Sequence, residues 1–465
     1  MSGPLEQLLA GTAELFACEE DHQKACTQLL AGLLNLGRHT ITGALTTAGR
    51  QHRDWSADYR VLQRLPVEKL FGYVQSRTLS RTEGPWVIAV DDSATRKTGR
   101  RIPGCGWRRD PLSPPFHVNF CWGQRVLQCS AALPASDGSA RLVPIDWTEA
   151  PLPQKPKPKA SEAEWSNYRE ARRQANLNTV AVQRFEQLRA KTERPIHFVV
   201  DGRFTNRTVL QRLPENTVVI GRIRKDTKLY AVGKRQAGGG RPRCYGDPLP
   251  TPEQVRTDDN IPWTTVQAWA CEGEHAFKIK YTAPVMARIR GISAAVRVVI
   301  IAPLGYRLRR GSRLLYRQPA YLLCTDPNLP LGQIVKEYLW RWDIEVNFRD
   351  EKCLLGVSEA QLRNPEAVRR QPAAAVAAYA MLLLAADQAY GPNGQPPSVP
   401  LPRWRQHQPP RRPTTSRLLS QLRIELWSHC LRRSSLSQLR SSTPTNQKSH
   451  KLHHHLAPAV FYAKN

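Results

Sequence analysis

The 465-residue sequence has little of what marks a secreted, membrane-spanning or zinc-binding protein. Residues 1–22 contain no basic segment followed by an apolar one, and no apolar run approaches the roughly 18 residues that a membrane span needs. The 10 cysteines are scattered, without a C-x2-C pair or a partnered histidine spacing. We therefore expect a cytoplasmic protein with free thiols, no membrane association, no zinc site and no disulfide framework.

Acidic residues are also scarce. The chain has 39 Asp and Glu against 68 Lys and Arg, a formal net charge of +29, and a pI near 10.2. With 41% hydrophobic residues and 12 Trp, it can still bury a sizeable core and is not disordered as a whole. A folded chain this basic favours a polyanionic partner, most simply nucleic acid, with a ribosomal or membrane-surface role as alternatives.

The length is typical of about two to four domains, and the composition divides the chain into five stretches. These are a helical N-terminal domain (1–83), the first part of an α/β core (84–223), a β-rich insertion (224–328), closing helices of the core (329–392) and a basic Pro/Arg/Ser-rich tail (393–465). The N-terminal domain is interpreted either as a packing domain or as a DNA-binding domain. The tail is predicted to be disordered or only partly helical, because Pro, Arg and Ser dominate it.

Two short apolar runs of the core each end at an acid. Trp86–Val90 leads into Asp91-Asp92, and a second run, 195–200, leads into Asp201. Such runs are typical of strands buried on both faces, so the acids fall at carboxyl ends of strands, where α/β sheets build their sites. Acids in these positions also cap helices and turns, so a structural role explains each one equally well when it is taken alone.

A third acid comes from a helix predicted over residues 331–355. At about 100° per residue, one face of this helix carries a phenol, a guanidinium, a carboxylate and an ammonium: Tyr338, Arg341, Glu345 and Lys352. An adjacent apolar stripe is suited to packing on a sheet: Val335, Leu339, Trp342 and Val346. The alternative is a solvated amphipathic helix in which Arg341 and Glu345 form an ordinary i,i+4 ion pair.

The Tyr-x2-Arg-x3-Glu-x6-Lys pattern resembles the signature of DDE transposases of bacterial insertion sequences, specifically insertion-sequence family 4. The resemblance covers about residues 84–390 and implies a ribonuclease-H-like catalytic core interrupted by a β-rich insertion. It implies that Asp92, Asp201 and Glu345 are the catalytic residues and the metal ligands. Asp91 leaves the first of these assignments open.

The resemblance also implies two divalent ions, Mg2+ or Mn2+. Three converging carboxylates repel one another unless cations neutralise them, and hard divalent ions prefer oxygen ligands. A pair of such ions activates a nucleophile and stabilises the leaving oxygen in phosphodiester displacement. Tyr338, Arg341 and Lys352 correspond to DNA-contacting members of the signature, and Trp342 or Trp340 is a candidate for stacking on an extruded base.

A basic loop that includes Arg96 and Lys97 follows the first acids and is predicted to track DNA, although such charge runs are more often solvated surface. We therefore expect an α/β transposase that cleaves element ends and transfers strands. Its expected partners are double-stranded DNA, as element ends and target, and a second copy of the chain, in the bacterial cytoplasm. The alternatives are a non-catalytic DNA-binding remnant and a metal-dependent nuclease without strand transfer.

Overall fold

A computed structural model describes residues 1–431 apart from residues 111–112, 115, 234–244, 271–272, 293, 308–310, 398–400 and 408. Residues 432–465, which belong to the predicted basic tail, lie outside the described residues. The described part is a mixed α/β fold built around one large mixed sheet.

Residues 1–79 are largely helical, as the leucine spacing predicts. The helices are α1 (Ser2–Ala10), α2 (Glu19–Leu34), α3 (Ile41–Thr47), α4 (Ser56–Leu62) and α5 (Val67–Leu79). Buried leucines such as Leu8 and Leu34 belong to the same hydrophobic cluster as Trp86 and Ile88 of the first strand. The N-terminal helices therefore share a core with the sheet instead of enclosing a separate one.

The first half of the sheet carries the strands that hold or directly precede the predicted acids. Its strands are β1 (Trp86–Arg96), β2 (Gly106–Arg109), β3 (Phe120–Pro134), β4 (Ala140–Glu149), β5 (Ile196–Val200) and β6 (Thr217–Arg222). β3 pairs antiparallel with β1, β2 and β4, whereas β5 lies parallel to both β1 and β6. The resulting order β4-β3-β1-β5-β6 places β1 in the interior, as expected for an apolar run buried on both faces.

Three helices accompany these strands: α6 (Glu162–Gln174), α7 (Leu177–Arg189) and α8 (Arg207–Leu210). The ring of Phe185 on α7 stacks on Phe198 of β5, with ring centroids 3.8 Å apart. This contact covers one face of β5 and leaves the opposite face for another helix layer.

The β-rich composition of residues 224–328 produces strands, but four of them extend the central sheet. The elements are β7 (Leu229–Val232), β8 (Tyr245–Leu249), α9 (Pro252–Thr257), β9 (Thr264–Ala270), β10 (Gly273–Tyr281), β11 (Met286–Ala287), β12 (Arg297–Ile301), β13 (Gly305–Tyr306), β14 (Leu315–Tyr316) and β15 (Ala320–Cys324). The sheet continues in the order β6-β15-β12-β10-β9, whereas β7, β8 and β11 form a small second sheet. The predicted insertion is thus joined to the core by continuous β pairing.

The helix predicted over residues 331–355 is two helices, α10 (Leu331–Trp340) and α11 (Trp342–Cys353), separated at Arg341. The amide of Arg341 donates to the carbonyl of Tyr338, an i to i−3 bond that tightens the chain at the break. The predicted apolar stripe is therefore wrong at Trp342, whose side chain is 62% exposed. Instead, Trp340, Ile344 and Phe348 pack on the sheet.

The Ala-rich helix α12 (Pro365–Tyr390) is long and apolar enough to cross a membrane by composition alone, and 72% of its apolar window is buried within the protein. It packs against α1, α5 and β4. Buried core helices pass the same compositional test, so α12 is weak evidence for a membrane span.

The tail is more ordered at its start than the composition predicts. Helices α13 (Arg403–Gln406) and α14 (Thr415–Leu431) lie within it, and α14 buries Leu418, Leu419 and Leu422. α14 contacts α1, α2 and α12. Residues 415–431 are therefore a helical part of the tail that was predicted to be disordered or only partly helical, and leucines on one side of this helix join the main hydrophobic cluster.

Candidate active site

Strand register brings two of the predicted acids to the same level. Val90 of β1 is the partner of Val200 in parallel β5, so Asp91 and Asp201 are each the next residue along the chain. β5 ends at this level, whereas β1 continues beside β3 to Arg96, so the prediction that its acids lie at a strand end is wrong for β1. Side chains alternate between the faces of a strand. Val87 and Ala89 pack on α10 and α11, whereas Ile88 and Val90 belong to the cluster on the other side. By this alternation, Asp91 belongs to the face of α11 and Asp92 to the opposite face.

Arg341 connects the sheet acid to the helix acid. One of its terminal nitrogens (Nη1) lies 2.8 Å from Asp91 Oδ2 and 3.9 Å from Glu345 Oε1. Burial raises the pKa of Asp91 to about 7; the Arg341 guanidinium opposes this rise, and the charges of Asp201 and Glu345 add to it. Asp91, Asp201 and Glu345 are therefore close enough to act on one another electrostatically.

Two other members of the predicted helix face also point toward this group. Lys352 Nζ donates to Ser93 Oγ at 2.5 Å, and burial lowers the pKa of Lys352. The guanidinium carbon of Arg341 lies 5.8 Å from the ring centre of Tyr338, whose pKa is raised by burial. Although the helix is broken, α10 and α11 together bring Arg341 and Lys352 onto Asp91 and Ser93 in the middle of β1, with Tyr338 and Glu345 beside Arg341.

Asp92, the residue predicted as the first ligand, has different neighbours. Its Oδ2 accepts from Arg125 Nε at 2.7 Å and lies 2.6 Å from Arg125 Nη2, and its Oδ1 lies 3.2 Å from Arg203 Nε. Both of its oxygens thus face guanidinium groups. Of the two adjacent acids, Asp91 shares Arg341 with Glu345, whereas Asp92 pairs with Arg125 and Arg203.

These groups line one open cleft with a volume of about 2310 Å3. Asp91, Asp92, Asp201 and Glu345 all line it. Many arginines and lysines also line the cleft. They lie on strands of the first half of the sheet, between β5 and β7, at residues 288–290 and on or next to α11: Arg96, Arg108, Arg109, Arg125, Arg203, Arg207, Arg222, Arg224, Lys228, Arg288, Arg290, Arg341, Arg349 and Lys352. Such a cleft attracts a polyanion and concentrates it next to the carboxylates.

The other predicted DNA-contacting residues have mixed positions. Arg96 lines the cleft, with its side chain 70% exposed and paired with Asp110. Lys97 does not line the cleft; its Nζ donates to the carbonyl of Ser358 at 2.7 Å. Trp342 is exposed but is also not among the lining residues, and Trp340 is buried. Only Arg96 of this set faces the carboxylates' cleft.

The donor set agrees with a hard divalent cation in its chemistry but not in its present arrangement. The three carboxylates offer only oxygen ligands, and the raised pKa of Asp91 marks a carboxyl that an added positive charge would keep ionised. No group of three Asp, Glu, His or Cys side chains that could hold a metal ion occurs among the described residues. The guanidinium of Arg341 bridges Asp91 and Glu345 here.

Sequence reasoning missed Arg125 and Arg203, and it named Asp92 as the first ligand while leaving Asp91 open; the geometry favours Asp91. A signal for Asp91 was present, because Asp91 and Asp201 each follow a run of five strand residues that begins at the same level. Nothing in the spacing of Arg125 indicated that β3 returns beside Asp92.

Comparison with known proteins supplies an independent finding. A family model described as "DDE superfamily endonuclease" matches residues 14–279, more than half of the chain. The match includes Asp91, Asp92 and Asp201 and ends before Glu345. None of the curated proteins matches the chain.

Seven chains among the solved structures match. One is described as "Cryo-EM structure of piggyBac transposase synaptic complex with hairpin DNA", with 12% sequence identity over 93% of this chain and 79% of that one. Its TM-score is 0.37, a level of likeness that carries no inference about this chain.

Proposed function

Because the chain belongs to the DDE superfamily of endonucleases, we propose that it is a transposase that cleaves and rejoins DNA in the basic cleft. Asp91, Asp201 and Glu345 are the proposed catalytic residues. The observation that carries this proposal is their placement on the neighbouring strands β1 and β5 and on α11, with Arg341 between Asp91 and Glu345, in a cleft lined by arginines.

A ribonuclease-H-like core is proposed on the basis of the sheet. Three antiparallel strands, β4, β3 and β1, are followed by the parallel strands β5 and β6, with β1 in the middle. This arrangement supports the fold that the resemblance to insertion-sequence family 4 implies. It also explains why the first two acids lie on neighbouring strands, β1 and β5.

Asp91, Asp201 and Glu345 would hold the divalent ions, two Mg2+ or Mn2+. When bound, these ions would lower the pKa of a water or hydroxyl nucleophile and stabilise the leaving oxygen. Asp92 is not proposed as a ligand, because by strand alternation its side chain belongs to the face of β1 opposite α11, which carries Glu345.

Arg341 and Lys352 are proposed to bind DNA and not metal. Arg341 and Lys352 present positive charge beside the carboxylates and would hold phosphates of the strand being cut. Tyr338 supports Arg341 from one side, which limits the directions in which the guanidinium can turn. Water would serve as nucleophile in cleavage, and the freed 3′-hydroxyl would attack target DNA in strand transfer.

Double-stranded DNA is the proposed partner, as element ends and target. Assembly as a homodimer in the bacterial cytoplasm is part of the same proposal, because two element ends have to be held together for transfer. A nuclease without strand transfer and a non-catalytic DNA-binding remnant are the competing functions.

The test is cleavage of a duplex carrying candidate terminal repeats, with Mg2+ or Mn2+, by the native chain and by Asp91→Asn, Asp201→Asn and Glu345→Gln. Each variant should lose cleavage by about 1000-fold or more while it still binds the duplex, since charge is removed and shape is nearly preserved. Asp259→Asn, in an exposed turn, is the matched control and should cleave normally. If native protein binds but does not cut with either metal, the enzyme proposal fails; if it cuts without joining 3′-ends to target DNA, the nuclease alternative holds.

A further inference from the structure

Asp92 holds two arginines at the wall of the cleft. Its side chain is 13% exposed, whereas those of Arg125 and Arg203 are 28% and 46% exposed. One carboxylate is therefore shielded behind two guanidinium groups that both reach the cleft. The three side chains carry a net charge of +1, so the group remains attractive to an anion after its internal pairing.

The pairing leaves donors free for such an anion. Arg125 uses Nε and Nη2 on Asp92, and Arg203 is oriented by Nε. In the described part of the chain, Nη1 of Arg125 and both terminal nitrogens of Arg203 have no hydrogen bond to another residue, and each carries N–H donors. Guanidinium groups held in this way lose less side-chain entropy when a phosphate binds than free ones do.

The group is also tied to the proposed catalytic carboxylates. The backbone amide of Arg203 donates to Asp201 Oδ1 at 2.8 Å, while its side chain reaches Asp92. Arg125 lies two residues along β3 from Leu127, the partner of Asp92. A phosphate held by the two arginines would therefore lie in the same cleft as the carboxylates of Asp91 and Asp201.

From this arrangement we propose that Arg125 and Arg203 form a binding site for a DNA backbone phosphate and that Asp92 is its positioning residue. The inference rests on the proposed function for its ligand, a phosphodiester of the strand in the cleft. It assigns different tasks to two neighbouring acids: Asp91 belongs to the metal-binding group, and Asp92 acts through the arginines.

The first measurement is DNA binding without divalent metal, by fluorescence anisotropy over a range of salt concentrations. Arg125→Gln and Arg203→Gln should each weaken binding by about tenfold, the lower range for a hydrogen bond to a charged group. Each should also reduce the slope of log K against log salt by about 0.9, the value for one phosphate contact. Arg169→Gln, on the exposed helix α6, is the charge-matched control and should change neither quantity as strongly.

The second measurement separates Asp92 from Asp91. Mn2+ binding, followed by electron paramagnetic resonance, should be retained in Asp92→Asn and lost in Asp91→Asn. Cleavage by Asp92→Asn should fall by about tenfold, and the triple variant Asp92→Asn/Arg125→Gln/Arg203→Gln should be no slower than Arg125→Gln/Arg203→Gln, because Asp92 acts through these two arginines. A purely structural role would instead make the two losses add.

Two results would overturn the inference. One is loss of Mn2+ binding in Asp92→Asn with retention in Asp91→Asn, which would make Asp92 the ligand. The other is an unchanged salt slope in both arginine variants. If Arg125→Gln fails to fold by circular dichroism, the exposed Arg203→Gln decides the question. If native protein never cleaves but the salt slopes fall as stated, the phosphate site stands and the proposed enzyme activity fails.

Discussion

Glu351 gives the protein a stability that depends on pH, and the dependence can be worked out from the structure. This side chain on α11 is 2% exposed. Burial raises its pKa from 4.5 to about 8, against the lowering effects of a hydrogen bond with Gln128 and of the charge of Lys352. Its Oε1 and the amide oxygen of Gln128 both lack a hydrogen-bond partner. We expect Glu351 to be protonated in the folded protein at neutral pH.

The folded-state pKa of Glu351 is raised, so the protein loses stability as the pH increases. Below pH 4.5 the carboxyl is protonated in both states, and its stabilising contribution is fully present. Between pH 4.5 and about 8 the unfolded chain ionises while the folded chain keeps its proton, so the free energy of unfolding falls by about 1.4 kcal/mol per pH unit. Above pH 8 the loss levels off at about 5 kcal/mol in total.

Glu351→Gln removes this titration and keeps the shape of the side chain. The amide would also offer a donor to the unpaired oxygen of Gln128. The stability difference between Glu351→Gln and native protein should therefore increase steadily from pH 5 to pH 8 in favour of the variant. Urea unfolding at several pH values measures it, and Glu6→Gln, exposed on α1, serves as control. A difference that stays constant with pH would refute the reasoning.

Three further changes have expected outcomes. Lys352→Met removes the ammonium that contacts Ser93 and would hold a phosphate, so it should lower cleavage by between about 10- and 100-fold and weaken duplex binding by about tenfold, which single-turnover kinetics and anisotropy measure. Arg412→Gln breaks the contact with Asp343 at 2.7 Å and should lower the free energy of unfolding by about 2 kcal/mol in urea, whereas Arg405→Gln, which is exposed, should not. Gly356→Ala places a Cβ 2.4 Å from that of His39, at a φ of +54°, and should lower the free energy of unfolding by about 3 kcal/mol in urea. Equal stability of the variant and the native protein would contradict this steric argument.

The two adjacent acids show where sequence reasoning stops. A strand buried on both faces has no solvent side, so polarity does not tell which of Asp91 and Asp92 faces which layer. The distinction comes from α10 and α11 packing on the face of Val87 and Ala89. The end of β5 before Asp201 was predictable, whereas the continuation of β1 to Arg96 and the choice between Asp91 and Asp92 depend on the pairing with β3 and on the packed layer.

The average composition of the tail does not indicate helix α14. Leu418, Leu419 and Leu422 have the spacing of a helix face, but the Pro, Arg and Ser residues around them lower the mean hydropathy of the segment. The segment is held by specific contacts as well, since Arg412 donates to the carbonyl of Ala140 and pairs with Asp343. Only the partners of this short face, on α1, α2 and α12, make it a stable element.

The helix that carries Glu345 was predicted from an apolar stripe, yet its inner face holds polar groups as well as Ile344 and Phe348. Asn347 Nδ2 donates to the carbonyl of Leu142 at 3.1 Å and to Ser130 Oγ at 3.3 Å. Apolar burial is non-directional and would tolerate a small rotation of α11, whereas these hydrogen bonds hold one orientation. Because the bonds reach β3 and β4, they set the direction in which Glu345 faces Asp91. The polar contacts of α11, which no hydrophobic pattern reveals, therefore determine whether its carboxylate joins the acids of the sheet.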